Sequence, residues 1–172
     1  MKRIIFGILL VALIATLPFS IEAKKKNTRK TAQTEKYAAL SALERKYVGK
    51  HMLSLQWLSW KYFGTVTITK EANGVLTCKG EQLARNCKDA DEKSIINDDY
   101  LKLDGVIDIV DANHFLFVGE IREKIFHINN GEEVLRQGTY DFKSTKNRKY
   151  WRMFPVANPA DSCADYIDIY FK

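Results

Sequence analysis

The chain has 172 residues, a formal net charge of +6, 46% hydrophobic and 12% aromatic residues, enough for one ordinary domain with a real core. The charge excess is local: Lys2, Arg3, Lys24, Lys25, Lys26, Arg29 and Lys30 all lie near the start, and without them and Glu22 the chain carries as many acidic as basic residues. The folded part therefore lacks the basic face that nucleic-acid binding requires, and nucleic acid is not an expected partner.

Residues 1–23 read as a secretory signal peptide. Lys2 and Arg3 supply a positive start, residues 4–17 an apolar run, and Pro18 breaks that run ahead of Ile21-Glu22-Ala23. The 14-residue run is shorter than the roughly 20 residues that cross a bilayer core. No cysteine lies near the cut to take a lipid. The expectation is an exported protein, periplasmic or secreted, with no transmembrane anchor after cleavage. Residues 24–33 read as a disordered basic leader, either simply solvated or weakly drawn to anionic surfaces.

Residues 34–172 form the expected single domain. Thr34 is positioned to cap a helix running to about Tyr47, with Tyr37, Leu40, Leu43 and Tyr47 on one stripe, and Gly49 ends it. The period then switches from 3.6 to 2. Strands are predicted at 51–58, 62–69, 75–82, 100–110, 115–126, 133–143, 150–154 and 166–171, with a polar loop at 88–99. Asn73-Gly74 between two alternating runs is a strong hairpin signal, and Asn129-Asn130-Gly131 marks another turn.

A glycine, an alternating strand, a turn and a returning strand recur from Gly64, Gly105 and Gly138. A chain of such hairpins is a meander, and strand glycines at these points let a twisted sheet curl until it removes its own edges. The expected fold is all-β, an antiparallel up-and-down meander of about eight strands closed into a barrel, preceded by one N-terminal helix. A β-sandwich is the alternative.

Three cysteines in an exported chain leave at least one unpaired in a monomer. Cys78 and Cys87 are the preferred disulfide pair, leaving Cys163 as a buried free thiol or an intermolecular partner. A catalytic cysteine needs an adjacent base, and His51, His114 and His127 are scattered.

Helix, about eight meandering strands and a late basic residue on a strand resemble the lipocalin-like (calycin) barrels. Ser54-Leu55-Gln56-Trp57, Tyr62-Phe63-Gly64, Tyr150-Trp151-Arg152 and Asp165-Tyr166-Ile167-Asp168-Ile169 also resemble small exported bacterial proteins of uncharacterised function. The lipocalin Gly-x-Trp motif is absent, since Gly49 is followed by Lys50 and His51. Trp57 with Arg152 is the candidate substitute for its Trp–Arg pair. The lipocalin helix usually follows the strands, whereas this one precedes them. The resemblance implies a barrel and a pocket, without a ligand or an activity.

The histidines lack metal-ligand spacing, and phosphate loops, dinucleotide fingerprints and the G-x-S-x-G elbow are absent, so no metal or cofactor is expected. Glu81, Glu120 and Asp168 can be assembled into carboxylate pairs for glycoside chemistry, as in any β protein rich in acids. Alternation places Asp168 on the solvent face. Binding is the stronger expectation. Trp57, Trp60, Tyr62, Tyr150, Trp151, Tyr166 and Tyr170 sit on the first and last strands, which are neighbours in a closed barrel, and Gln56 and Arg152 add polar groups. These residues either line a site for a small apolar or amphipathic ligand or are core and cross-strand pairs. The expected function is thus a non-enzymatic, ligand-binding exported barrel. The alternatives are a cell-envelope or surface module binding protein or glycan and, less favoured, a small hydrolase.

Overall fold

A computed structural model of the protein describes residues 40–171. The expected signal peptide, the basic leader and residues 34–39 of the expected helix lie outside the described residues. What is described of that helix is one turn, α1 (Glu44–Tyr47), while residues 40–43 form a bend and a turn. A Ser-x-x-Glu spacing sets this local structure. The Glu44 N–H donates to Ser41 Oγ at 3.1 Å, and the Ser41 N–H donates to Glu44 Oε2 at 2.7 Å.

Eight strands follow: β1 (Gly49–Leu55), β2 (Gly64–Lys70), β3 (Leu76–Leu83), β4 (Tyr100–Asp111), β5 (His114–Lys124), β6 (Val134–Lys143), β7 (Tyr150–Phe154) and β8 (Ile167–Tyr170). Each pairs antiparallel with the next, and β1 pairs with β8 through Leu53↔Ile169. The meander therefore closes, and the expected barrel is observed rather than the sandwich. The Asn73-Gly74 hairpin forms as its sequence predicts: Gly74 takes a φ of +87°, and Asn73 Oδ1 accepts the Val75 N–H at 3.1 Å. The polar loop at 88–99 contains a short helix, α2 (Glu92–Ile96), whose Asp91 cap accepts the Lys93 N–H at 2.8 Å.

Alternation sorts the side chains. Each strand contributes an inward residue with no exposed surface, among them Leu53, Val66, Cys78, Leu101, Phe117, Phe142, Trp151 and Ile169. Residues without accessible surface line no water-sized void, so these side chains pack against one another across the barrel. Outward positions on β4 and β5 carry Lys102, Asp104, Asp108, Glu120 and Arg122, the reverse of a membrane-spanning barrel, whose outside is apolar. Among the described residues no helix is long and apolar enough to cross a membrane.

Two glycines allow the sheet to curl. Gly105 on β4 pairs with Gly119 on β5, and both point inward. A Cβ on Gly105 would lie 2.8 Å from the Phe117 ring, and one on Gly119 would lie 2.6 Å from the Gly105 Cα. Because the second obstacle is backbone, Gly119→Ala is expected to lower stability by about 1–3 kcal/mol, measured as a shift in the urea midpoint.

The expected Cys78–Cys87 bond is not formed; Cys78, Cys87 and Cys163 are all free thiols. Cys78 points into the core from β3, and five further residues of extended strand to Leu83 carry the chain roughly 17 Å away before the turn that bears Cys87. The Cys87 thiol instead donates to the Leu83 and Tyr62 carbonyls at 3.3 and 3.4 Å. Burial pushes the Cys78 thiol up to about 12, which leaves it a small apolar core residue.

Candidate functional site

The β7–β8 pair carries two opposite faces. Trp151 and Met153 point inward while Tyr150 and Arg152 point out, and Ile167 and Ile169 point inward while Asp168 and Tyr170 point out. The expected aromatic set therefore divides. Trp151 is a core residue, stacked on Tyr47 with ring centroids 4.7 Å apart and edge-on to Phe115 at 5.6 Å and His51 at 5.7 Å. Tyr47 in turn reaches the Asp111 carbonyl, which fixes α1 across that end of the barrel.

On the outer face the structure brings together Tyr150, Arg152, Tyr166 and Tyr170. Arg152 donates from Nε and Nη2 to the two Asp168 carboxylate oxygens at 2.8 and 2.7 Å. Its guanidinium lies 4.1 Å from the Tyr166 ring centroid and 5.2 Å from that of Tyr150. Asp168 is outward by alternation, as predicted, yet fully buried beneath these neighbours. Burial raises its carboxyl above the ordinary range against the opposing pull of Arg152. Tyr150 and Tyr170 are 5.3 Å apart, and Tyr170 meets Phe63 edge-on at 4.9 Å. The sequence reading missed Phe63 as a site residue. The signal was available: Phe63 immediately precedes a strand that pairs with β1, on the side of the barrel that also carries β8.

Trp57, Trp60 and Tyr62 occupy the connection after β1 rather than the barrel wall. Trp60 is 52% exposed. Tyr62 holds that connection in place: its N–H donates to Ser59 Oγ at 2.8 Å, and its carbonyl accepts from Gln82 Nε2 at 2.9 Å. Trp57 Nε1 donates to Asp165 at 2.9 Å, so Trp57 and Arg152 have different partners and do not reproduce the lipocalin pair. Gln56 binds the Ala164 carbonyl and accepts the Tyr166 N–H at 2.6 Å, aligning the start of β8.

Behind Trp57 lies a buried ionic cluster that sequence patterning gave no reason to expect, because its members come from three separate segments. Arg136 on β6 bonds Glu123 on β5 at 2.9 Å, pairs with Asp165, and donates to the Ala157 carbonyl at 3.0 Å. Asn158 donates to Glu123 at 2.7 Å. The three charged side chains are at most 2% exposed. Two carboxyls share one guanidinium, and burial pushes Glu123 above the ordinary carboxylate range. This cluster fastens the 155–166 connection to the barrel: the buried residues of that segment, Asn158 and Asp165, are both polar.

The arrangement offers stacked rings, hydroxyls and a neutralised Arg–Asp pair on an outer wall, the chemistry of amphipathic recognition. Glu81 and Glu120 lie on the outer faces of β3 and β5, and Glu120 is held by Arg122 at 2.8 Å. Neither is brought to Asp168 as an acid–base pair, since Asp168 is closed off by Arg152.

The chain is 39% identical over 171 residues to "Uncharacterized protein PM1083" of Pasteurella multocida (strain Pm70), covering 99% of each chain. No solved structure matches. The PM1083 family model matches residues 25–171, and the chain belongs to that family.

Proposed function

We propose that this protein is an exported, non-enzymatic, lipocalin-like barrel that binds a small amphipathic ligand, and that it does so on the outer aromatic face of β7, β8 and β1 rather than in the barrel interior. The observation that carries this reading is the continuous series Phe63–Tyr170–Tyr150–Arg152–Tyr166, each member in ring or cation–π contact with the next, set outside a core to which every strand contributes an inward residue with no exposed surface. Met52 on β1, 46% exposed, and Phe63, 37% exposed, add apolar surface beside it. The kinship with calycin barrels rests on strand order and on the α1 turn that closes one end. Export rests on the reading of residues 1–23.

The test is a fluorescence titration of the protein with dodecyl maltoside below its micellar concentration. Tyr170→Ala removes the ring that joins Phe63 to Tyr150 and is expected to weaken binding roughly tenfold, given the ~0.5–1.5 kcal/mol attached to each aromatic contact. Phe117→Leu, a core substitution, is expected to leave affinity unchanged. Affinity that falls with Phe117→Leu and not with Tyr170→Ala would place the ligand inside the barrel and contradict the reading.

A further inference from the structure

Strand register extends the aromatic face into a longer row with a chemical direction. Tyr150 pairs with Tyr170, Met52 lies level with Tyr170 because Leu53 pairs with Ile169, Met52 pairs with Thr65, and Thr65 pairs with Glu81. Tyr150, Tyr170, Met52, Thr65 and Glu81 thus form one outward row across five adjacent strands, roughly 19 Å long at the ~4.8 Å strand spacing. Its apolar stretch is Tyr150, Tyr170 and Met52, with Phe63 packed on Tyr170. Its far end is polar and concave. A pocket of about 180 Å³ opens there, lined by Phe63, Thr65, Glu81, Gln82, Asn86 and Cys87.

The pocket carries one unanswered charge. Among the described residues the Glu81 side chain makes no hydrogen bond or ion pair within 4.0 Å, whereas Lys79, Arg85 and Lys102 are engaged elsewhere. Lys79 pairs with Asp104 at 2.9 Å, Arg85 with Asp98 at 2.9 Å, and Lys102, opposite Glu81 in the register, lies over the Tyr100 ring at 4.6 Å. The Gln82 amide is already spent on the Leu55 N–H at 2.7 Å and the Tyr62 carbonyl at 2.9 Å. At the opposite end the Arg148 guanidinium lies over the Tyr150 ring at 5.6 Å. A head group in the pocket therefore meets a free carboxylate, a hydroxyl and the Phe63 ring, which together favour an ammonium by charge and by cation–π attraction.

Resting on the binding face argued above, we propose that the ligand is a cationic amphiphile, its ammonium head seated between Glu81 and Phe63 and its apolar chain laid along Met52, Tyr170 and Tyr150. The test uses three chain-matched probes below their micellar concentrations with the full chain: dodecyltrimethylammonium, dodecyl maltoside and dodecanoate. The ammonium is expected to bind roughly five- to tenfold more tightly than the maltoside, the combined effect of one exposed ion pair and one cation–π contact. Glu81→Gln is expected to erase that advantage while leaving maltoside binding intact, and Glu81→Lys to turn the preference toward dodecanoate. Equal affinity for all three, or tightest binding of dodecanoate to the unaltered protein, overturns the head-group assignment and leaves the aromatic face standing. No binding of any probe overturns both.

Discussion

Arg136→Met is expected to destabilise the protein by about 3–5 kcal/mol, the usual cost of breaking a buried ion pair on one side only. The side chain is 2% exposed and answers two buried carboxyls, Glu123 and Asp165, while also holding the Ala157 carbonyl. Methionine preserves length and apolar bulk but leaves both acids without a counter-charge. Adding Glu123→Gln to Arg136→Met is expected to restore part of the loss, since the amide keeps a partner in Asn158. Urea unfolding of the two single variants and the double variant measures the coupling. The pH dependence has a definite sign. Burial raises the folded Glu123 value above the ordinary 4.5, so the stability it contributes is full below the ordinary value and is lost as pH climbs through the raised one. Glu123→Gln is expected to remove that decline, and an unchanged pH profile would show that Glu123 ionises freely in the fold.

The second large effect is expected at Trp151. Its ring has no exposed surface and contacts Tyr47, Phe115, His51 and Phe171, the last at 4.3 Å. Trp151→Ala is expected to cost about 3–5 kcal/mol and to loosen α1 as well, because Tyr47 loses its stacking partner. Hydrogen exchange separates the two consequences: amides around residues 44–48 are expected to lose protection beyond the global change. A purely global loss would mean that Tyr47 is held by its bond to the Asp111 carbonyl and not by the ring.

Local pattern carried most of this fold. Alternation located every strand to within a few residues, because inward and outward side chains alternate along each. Asn73-Gly74 announced its hairpin because glycine at positive φ is what a tight turn there requires. The recurring strand glycines anticipated the curl that Gly105 and Gly119 permit. Of the expected helix only residues 40–47 are described, and there the helical turn follows the Ser41–Glu44 cap.

The site was legible as a composition and not as a surface. Trp57, Trp60, Tyr62, Tyr150, Trp151, Arg152, Tyr166 and Tyr170 were grouped because first and last strands meet in a closed barrel. Adjacent residues on a strand point opposite ways, so Trp151 was bound to part company with Tyr150 and Arg152. The Glu123–Arg136–Asp165 cluster had no periodic signature, because Asp165 comes from the 155–166 connection, far along the chain from the β5–β6 hairpin that brings Glu123 and Arg136 together. The Cys78–Cys87 pairing failed for a related reason: a short separation in sequence becomes a long one when the intervening chain is an extended strand.

The most direct measurement is an amide chemical-shift titration with dodecyltrimethylammonium. Shifts are expected to concentrate at Met52, Phe63, Thr65, Glu81, Tyr150 and Tyr170, tracing one row across the outer wall, with Phe115, Phe117 and Phe142 unmoved. Shifts concentrated instead at those three inward phenylalanines would mean that the barrel opens to admit its ligand, and would contradict recognition on the outer face.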